Sequence, residues 1–175
     1  MYGWCTIRRA KRMRLAIEHV FEGIAVADYE SLYFDEPFND AQGRELRMGR
    51  QLLRFDRSKQ RIVRHVCYEP ARKPSDPVNE VFGSSRASFI EELEYDLAAR
   101  RGTWRTIPNQ WAERVRTTGT IELTVAPGGT RRVVSGEVKV SLFGFGKIVE
   151  RMIVAEIEKS YAATAAFTRA WLARR

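Results

Sequence analysis

The chain has 175 residues, of which 44% are hydrophobic and 30% charged, and its formal net charge is +8. This length favours one domain with a sizeable core, and charged residues interrupt every apolar run before it is long enough to span a bilayer. The sequence shows no signal-peptide pattern, and its two cysteines, Cys5 and Cys67, are too few for a disulfide framework. We therefore expect a cytoplasmic globular protein.

Part of the positive charge is concentrated at the N-terminus. Four of the basic residues are Arg8, Arg9, Lys11 and Arg12. No acidic residue precedes Met13, where a clean strand pattern begins. We interpret 1–12 as a flexible basic extension, or as translation from an upstream start codon, and 13–175 as a single domain. The rest of the chain is only mildly basic, which weakens the case for a nucleic-acid partner.

The first half of the domain mixes strand and helix patterns. The predicted elements are a strand at 13–21, a short helix at 24–34, a second helical turn before Gly43 and a strand from Arg44 to Asp56. Asp35, Pro37 and Asn39 are typical of a helix end, so we expect the first helix to stop there.

The second half of the domain is predicted to form consecutive strands. Five further strands are predicted at 61–69, 88–97, 103–107, 113–125 and 131–143. The last two are the clearest, and Pro127-Gly128-Gly129 between them predicts a hairpin turn. Gly119 and Gly136 both fall on the inward face, which suits strands that bend sharply. The segment 70–86 carries three prolines and is a candidate lid over a pocket.

The stretch from Gly144 to Arg175 predicts one long amphipathic helix. Beyond Gly146 it contains no Gly or Pro, and good helix formers dominate. A step of about 100° per residue gathers one apolar face, formed by Val149, Met152, Ile153, Ser160, Ala163, Phe167 and Trp171. Glu156 falls near the middle of that face. Its carboxylate would either lean to the edge of the helix face and pair with an arginine, or be a polar group inside a cavity. Strands with one apolar face need a cover, and this helix supplies it.

This order of one strand, two short helices, six strands and one long helix resembles the helix-grip fold of the START superfamily, also called SRPBCC and related to the birch pollen allergen. The segments GEVKVSLFG (136–144), ERMIVAEIEKSY (150–161) and AAFTRAWL (165–172) are similar to a bacterial family of uncharacterised START-like proteins, in which a proline is frequent at the position of Ser141. The resemblance implies an α+β fold, with a curved antiparallel sheet of about seven strands wrapped around the C-terminal helix. It also implies a hydrophobic pocket between sheet and helix, and no particular reaction.

Inward positions of the later strands and the apolar face of the helix are the candidate ligand-binding residues. We expect a hydrophobic small molecule or lipid to contact Phe89, Glu91, Leu93, Tyr95, Trp104, Thr117, Ile121, Val138, Val140, Met152, Ile153, Glu156 and Ser160. Glu91, with Glu156, Arg64 and Tyr68, would form a small polar cluster in an otherwise apolar cup. A structural ion pair, either Arg64–Glu91 or an arginine with Glu156, is the simpler interpretation.

Two other functions stay open. A cyclase or hydratase on the same scaffold would use Glu91, Glu156 or His19 as acid or base. Alternatively, a protein with a filled core would act through its basic face, because seven arginines between residues 44 and 64 follow two predicted strands. Such a face can contact an anionic membrane, whereas no nucleic-acid motif supports an RNA partner.

The histidines and cysteines suggest no metal or nucleophile. His19 and His65 do not have the spacing of a metal site, and the sequence contains no recognised cofactor motif. Cys67 lies two residues after His65 on one predicted strand, where side chains usually sit too far apart for a nucleophile and its base.

Overall fold

The computed structural model describes residues 13–71 and 88–174. The predicted extension at 1–12 and all but the first two residues of the predicted lid lie outside the described residues. The elements are, in chain order, β1 (Met13–Glu22), α1 (Val26–Tyr33), α2 (Glu36–Glu45), β2 (Met48–Arg57), β3 (Arg61–Pro70), β4 (Phe89–Asp96), β5 (Arg101–Pro108), β6 (Val115–Ala126), β7 (Gly129–Val140) and α3 (Gly146–Leu172).

The strands form one antiparallel sheet of seven, in the order β1-β7-β6-β5-β4-β3-β2. The first strand therefore pairs with the last, with Met13 opposite Val138 and Glu22 opposite Gly129. Because α3 follows β7 directly, it returns along β1 and β7 and covers the inward face of the sheet. The predicted fold, a curved antiparallel sheet with a long C-terminal helix and two short helices after the first strand, is confirmed.

Asp35 both ends α1 and begins α2. Its side chain accepts a hydrogen bond of 2.8 Å from the backbone N–H of Phe38, which caps the second helix. Pro37 lies in the first turn of α2, where a missing N–H leaves no helical bond unmade. The prediction of a helix end at these residues is thus confirmed, and the same residues start the next helix.

The predicted start of the second strand is wrong. Arg44 and Glu45 still belong to α2, which passes through Gly43, and β2 begins only at Met48. Arg47, with a positive φ of 52°, makes the turn between them.

Trp104 explains the paired inward glycines. Gly119 and Gly136 lie opposite each other on β6 and β7. A Cβ atom at Gly119 would come within 2.5 Å of Cζ2 of Trp104, and one at Gly136 within 2.9 Å of the same atom. The buried indole therefore occupies the space that two side chains would otherwise fill.

The buried face of α3 is rotated from the predicted one. Among its buried residues are Val149, Glu150, Val154, Ala165 and Thr168. At about 100° per residue, the centre of these buried positions lies roughly a quarter turn around the helix from the centre of the predicted face. Glu156 is therefore exposed rather than near the middle of the apolar face, and that prediction is wrong.

Contacts with α2 account for the difference. Phe167 and Trp171, which dominated the predicted face, pack against Phe38, with ring centroids 5.6 and 5.5 Å apart. Their neighbours are thus on a helix rather than in the sheet. Within the described ranges, none of the helices is long and apolar enough to cross a membrane.

Candidate ligand-binding site

Most of the residues predicted to line a pocket lie on the inward side of the sheet. Leu93, Tyr95, Trp104, Thr117, Ile121, Val138 and Val140 are buried. Phe89, Glu91, Met152, Ile153 and Ser160 are half-buried. Glu156 does not join them, because it faces solvent.

An ion pair lies inside this apolar surface. Arg64 on β3 and Glu91 on β4 are diagonal neighbours, since Arg64 is opposite Leu93 and Glu91 is opposite Val66. Nη2 of Arg64 is 3.6 Å from Oε1 of Glu91, and the two side chains are only 4% and 19% exposed. The predicted Arg64–Glu91 pair is confirmed.

Arg64 also contacts Tyr33 and Phe34, at the end of α1. Nη1 donates a hydrogen bond of 3.2 Å to the carbonyl oxygen of Tyr33. The guanidinium also lies over the rings of Tyr33 and Phe34, at 5.0 and 5.4 Å from their centroids. Burial lowers the pKa of Arg64, but the nearby Tyr33, Tyr68 and Glu91 more than reverse this and raise it above its usual range. Arg64 therefore keeps its charge.

Three tyrosines surround the pair. Burial raises the pKa of Tyr33, Tyr68 and Tyr161, and the negative charge of Glu91 raises each further. All three phenols are therefore protonated at neutral pH, and each can donate one hydrogen bond. All three side chains are half-buried. We call Tyr33, Arg64, Tyr68, Glu91 and Tyr161 the interior polar cluster.

Only part of this cluster was predicted from the sequence. Arg64, Tyr68 and Glu91 were expected to lie together, whereas Tyr33 and Tyr161 were not. Tyr161 could have been found from a row at intervals of four residues that starts at Val149 and passes through Ile153. Tyr33 lies within the predicted helix at 24–34, and no comparable periodicity indicates that its side chain faces the sheet.

A second arginine, Arg132, is buried beside the cluster. Its Nη1 donates to the hydroxyl of Tyr29 at 3.2 Å, and Nη2 lies 3.4 Å from Nδ1 of His19. The guanidinium also lies against the rings of Phe21 and Tyr161, 5.2 and 5.3 Å from their centroids. Alternation along β7 puts Arg132 on the face of Val134, so the sequence carried this signal.

Burial, more than the charge of Arg132, shifts the pKa values of the two groups that contact Arg132. Burial lowers the pKa of His19, and the charges of Arg132 and Arg169 lower it further, which favours a neutral imidazole. Burial raises the pKa of Tyr29 to about 12 against the opposing effect of Arg132.

Two cavities lie near α1. One of about 30 Å³ is bounded by α1, α2, Arg132 and Thr168. A groove of about 1120 Å³ opens between the end of β1, α1 and the end of α3. Leu32 borders both, and neither is lined by a residue that the sequence predicted for the pocket. Within residues 13–71 and 88–174, no three His, Cys, Asp or Glu side chains are grouped closely enough to hold a metal ion.

The chain has the helix-grip architecture of several solved structures. A protein of Thermus thermophilus superposes with a TM-score of 0.62 at 15% identity, over 90% of this chain and 98% of its own. An aromatase/cyclase of a Streptomyces species gives 0.61 at 12% identity, over 93% and 96%. A protein of Mycobacterium smegmatis gives 0.60 at 14% identity, also over 93% and 96%. At these identities the likeness concerns the fold alone.

The family profile described as "Protein of unknown function (DUF2505)" matches residues 85–172, about half of the chain. The protein belongs to this family. The matched region holds Glu91, Trp104 and Tyr161, while Tyr33 and Arg64 precede it. No curated protein is significantly similar to the chain in sequence.

Proposed function

We propose that this protein is a START-like protein that binds a hydrophobic small molecule or lipid between its curved sheet and α3. The apolar body of the ligand would lie against half-buried residues such as Phe89, Met152 and Ile153. Its polar end would meet the interior polar cluster. Ligand pockets commonly have this character, with apolar walls and a few polar groups that fix orientation.

The observation that carries this proposal is the Arg64–Glu91 pair, in which the arginine is buried and the carboxylate is half-buried on the inward face of the sheet. A buried ion pair costs more in desolvation than it commonly returns, so it is weak support for stability alone. Nε of Arg64 makes no hydrogen bond, and among the described residues the same is true of Nε1 of Trp104, another buried residue of the inward face. Buried donors of this kind call for an explanation, and a polar ligand group supplies one.

A cyclase-type reaction is the second candidate. The observation in its favour is that Glu91 lies among three protonated phenols, an arrangement that can accept a proton at one point and donate at another. Glu156 drops out of this hypothesis because it is exposed. His19 lies beside Arg132, which is not a member of the interior polar cluster.

The first test is native mass spectrometry of protein purified gently from its own host, followed by denaturing extraction of what stays bound. We expect one co-purifying lipid or similar apolar compound in near-stoichiometric amount. Glu91→Gln should lower its occupancy, while Glu94→Gln, on the outward face of the same strand, should not. A ligand-free wild type that also fails to bind an apolar fluorescent probe would contradict the proposal. Conversion of the bound compound by wild type but not by Glu91→Gln would favour the cyclase.

A further inference from the structure

An apolar tip projects where β7 passes into α3. Phe143 is fully exposed at 103%, and Phe145 and Ile148 are 63% and 55% exposed. Gly144, between the two phenylalanines, has a positive φ of 79°, so the chain turns sharply there. Large apolar side chains clustered on a surface mark interaction sites, whereas scattered ones do not.

The base of the tip is held firmly. The buried Glu150 accepts a hydrogen bond of 3.0 Å at Oε1 from the backbone N–H of Val140, the last residue of β7. The N–H of Gly146 donates to the carbonyl oxygen of Leu142 at 3.2 Å. A Cβ at Gly146 would come within 2.7 Å of the carbonyl oxygen of Val140, so the helix starts directly against the strand. The exposure of the phenylalanines is therefore a property of an ordered turn.

The tip is also basic. Glu150 is the one acidic residue among residues 143–155, and its carboxylate is turned inward to β7. The exposed side of the first two turns of α3 carries Lys147, Ile148 and Arg151. The start of β6 lies alongside, because the carbonyl oxygen of Arg114 accepts a hydrogen bond of 2.8 Å from the N–H of Ser141. Arg114 is itself exposed.

We propose that this tip, formed by Phe143, Phe145, Lys147, Ile148 and Arg151, docks on an anionic phospholipid bilayer. Phe143, Phe145 and Ile148 would enter the boundary between headgroups and acyl chains, and the two cations would contact lipid phosphates. A symmetric contact between two copies of the chain is disfavoured, since it would bring Lys147 and Arg151 of each copy close to those of the other. Docking here does not depend on the ligand proposed for the interior.

The test is flotation with vesicles of phosphatidylcholine alone or mixed with phosphatidylglycerol, over a range of salt concentrations. We expect binding only to the mixed vesicles, and weaker binding as salt increases. Replacing Lys147 and Arg151 by Ala should weaken the partition about fivefold per charge, from about 1 kcal/mol each. The double variant Phe143→Ser, Phe145→Ser should weaken it at least about tenfold.

Val125→Ser is the matched control. Val125 is 76% exposed, but it lies at the opposite end of β6, next to the β6–β7 turn, and its variant should bind like wild type. Three results would overturn the proposal: no binding to mixed vesicles at low salt, unchanged binding of the double phenylalanine variant, or a wild-type dimer that this variant dissociates. Circular dichroism of each variant establishes that its fold is intact.

Discussion

Arg64 and Glu91 lie diagonally across β3 and β4, with 3.6 Å between Nη2 and Oε1, on the inward side of the sheet. On the outward side of the same two strands, Arg61 and Glu94 form a similar diagonal pair at 3.7 Å, with both side chains more than 60% exposed. The two pairs share strands and geometry and differ in burial. They therefore allow the effect of burial to be measured within one protein.

Removing one partner of the inner pair should destabilise the protein, whereas removing both should not. Arg64→Met leaves the Glu91 carboxylate half-buried without its cation, and we expect a loss of about 2–4 kcal/mol in the free energy of unfolding. The double variant Arg64→Met, Glu91→Leu should stay within about 1 kcal/mol of wild type or exceed it. Chemical denaturation measures both.

The outer pair is the control for this experiment. Arg61→Met with Glu94→Leu should change the free energy of unfolding by less than about 1 kcal/mol, as exposed pairs commonly do. If the double variant of the inner pair lost as much stability as Arg64→Met alone, the pair would be structural, and the argument for a ligand would fail. If it folded well but no longer retained a ligand, the functional interpretation would gain support.

Gly119 should tolerate no side chain. A Cβ there would lie 2.1 Å from the carbonyl oxygen of Ser135 and 2.5 Å from Cζ2 of Trp104, and the first of these is backbone that cannot move aside easily. We expect Gly119→Ala to cost about 2–3 kcal/mol or to prevent folding. Thermal unfolding is the measurement, with Thr118→Ala on the other face of β6 as control. A Tm for Gly119→Ala equal to that of wild type would show that the sheet can open at this point.

The sequence predicted the sheet well because alternation is a local signal. Strands β6 and β7 were correct to within a few residues, and Trp104, Ile121 and Val138 were correctly placed inward. The rotation of α3 was not predictable in the same way. Two large aromatic residues pointed to one face, but they pack on Phe38 of α2, a contact that the periodicity of α3 alone does not indicate.

The interior polar cluster shows the same limit. Adjacent strands made Arg64 and Glu91 a foreseeable pair, since both alternate with buried neighbours. Tyr33 and Tyr161 come from two helices, and only the packing of those helices against the sheet brings their hydroxyls near Glu91. Local periodicity therefore predicted the sheet half of the site and not the helical half.

Stability should depend on pH through His19. Its pKa is lowered in the folded protein by burial and by Arg132 and Arg169. The unfolded chain therefore takes up the proton first, near the ordinary value of about 6.5. This contribution to stability is complete above that pH and is lost as the pH falls below it. We expect the Tm to decrease between pH 7.5 and 5.5, and His19→Gln to reduce that decrease.

His65→Gln is the matched control, since it removes the other histidine of the chain. It should retain the wild-type decrease in Tm. An equal decrease in wild type and His19→Gln would assign the acid sensitivity to other groups.

Glu150 and Glu156 lie on different sides of α3 and should respond very differently to truncation. Glu150 is buried, and its Oε1 accepts the N–H of Val140, so Glu150→Ala leaves that donor without a partner. We expect a loss of about 1–3 kcal/mol in the free energy of unfolding. Glu156→Ala, at an exposed position, should stay within about 0.5 kcal/mol of wild type. Glu150→Gln, whose amide oxygen can accept the same hydrogen bond, should recover part of the loss. Urea denaturation of the three variants measures these differences, and a larger loss for Glu156→Ala than for Glu150→Ala would contradict the observed rotation of the helix.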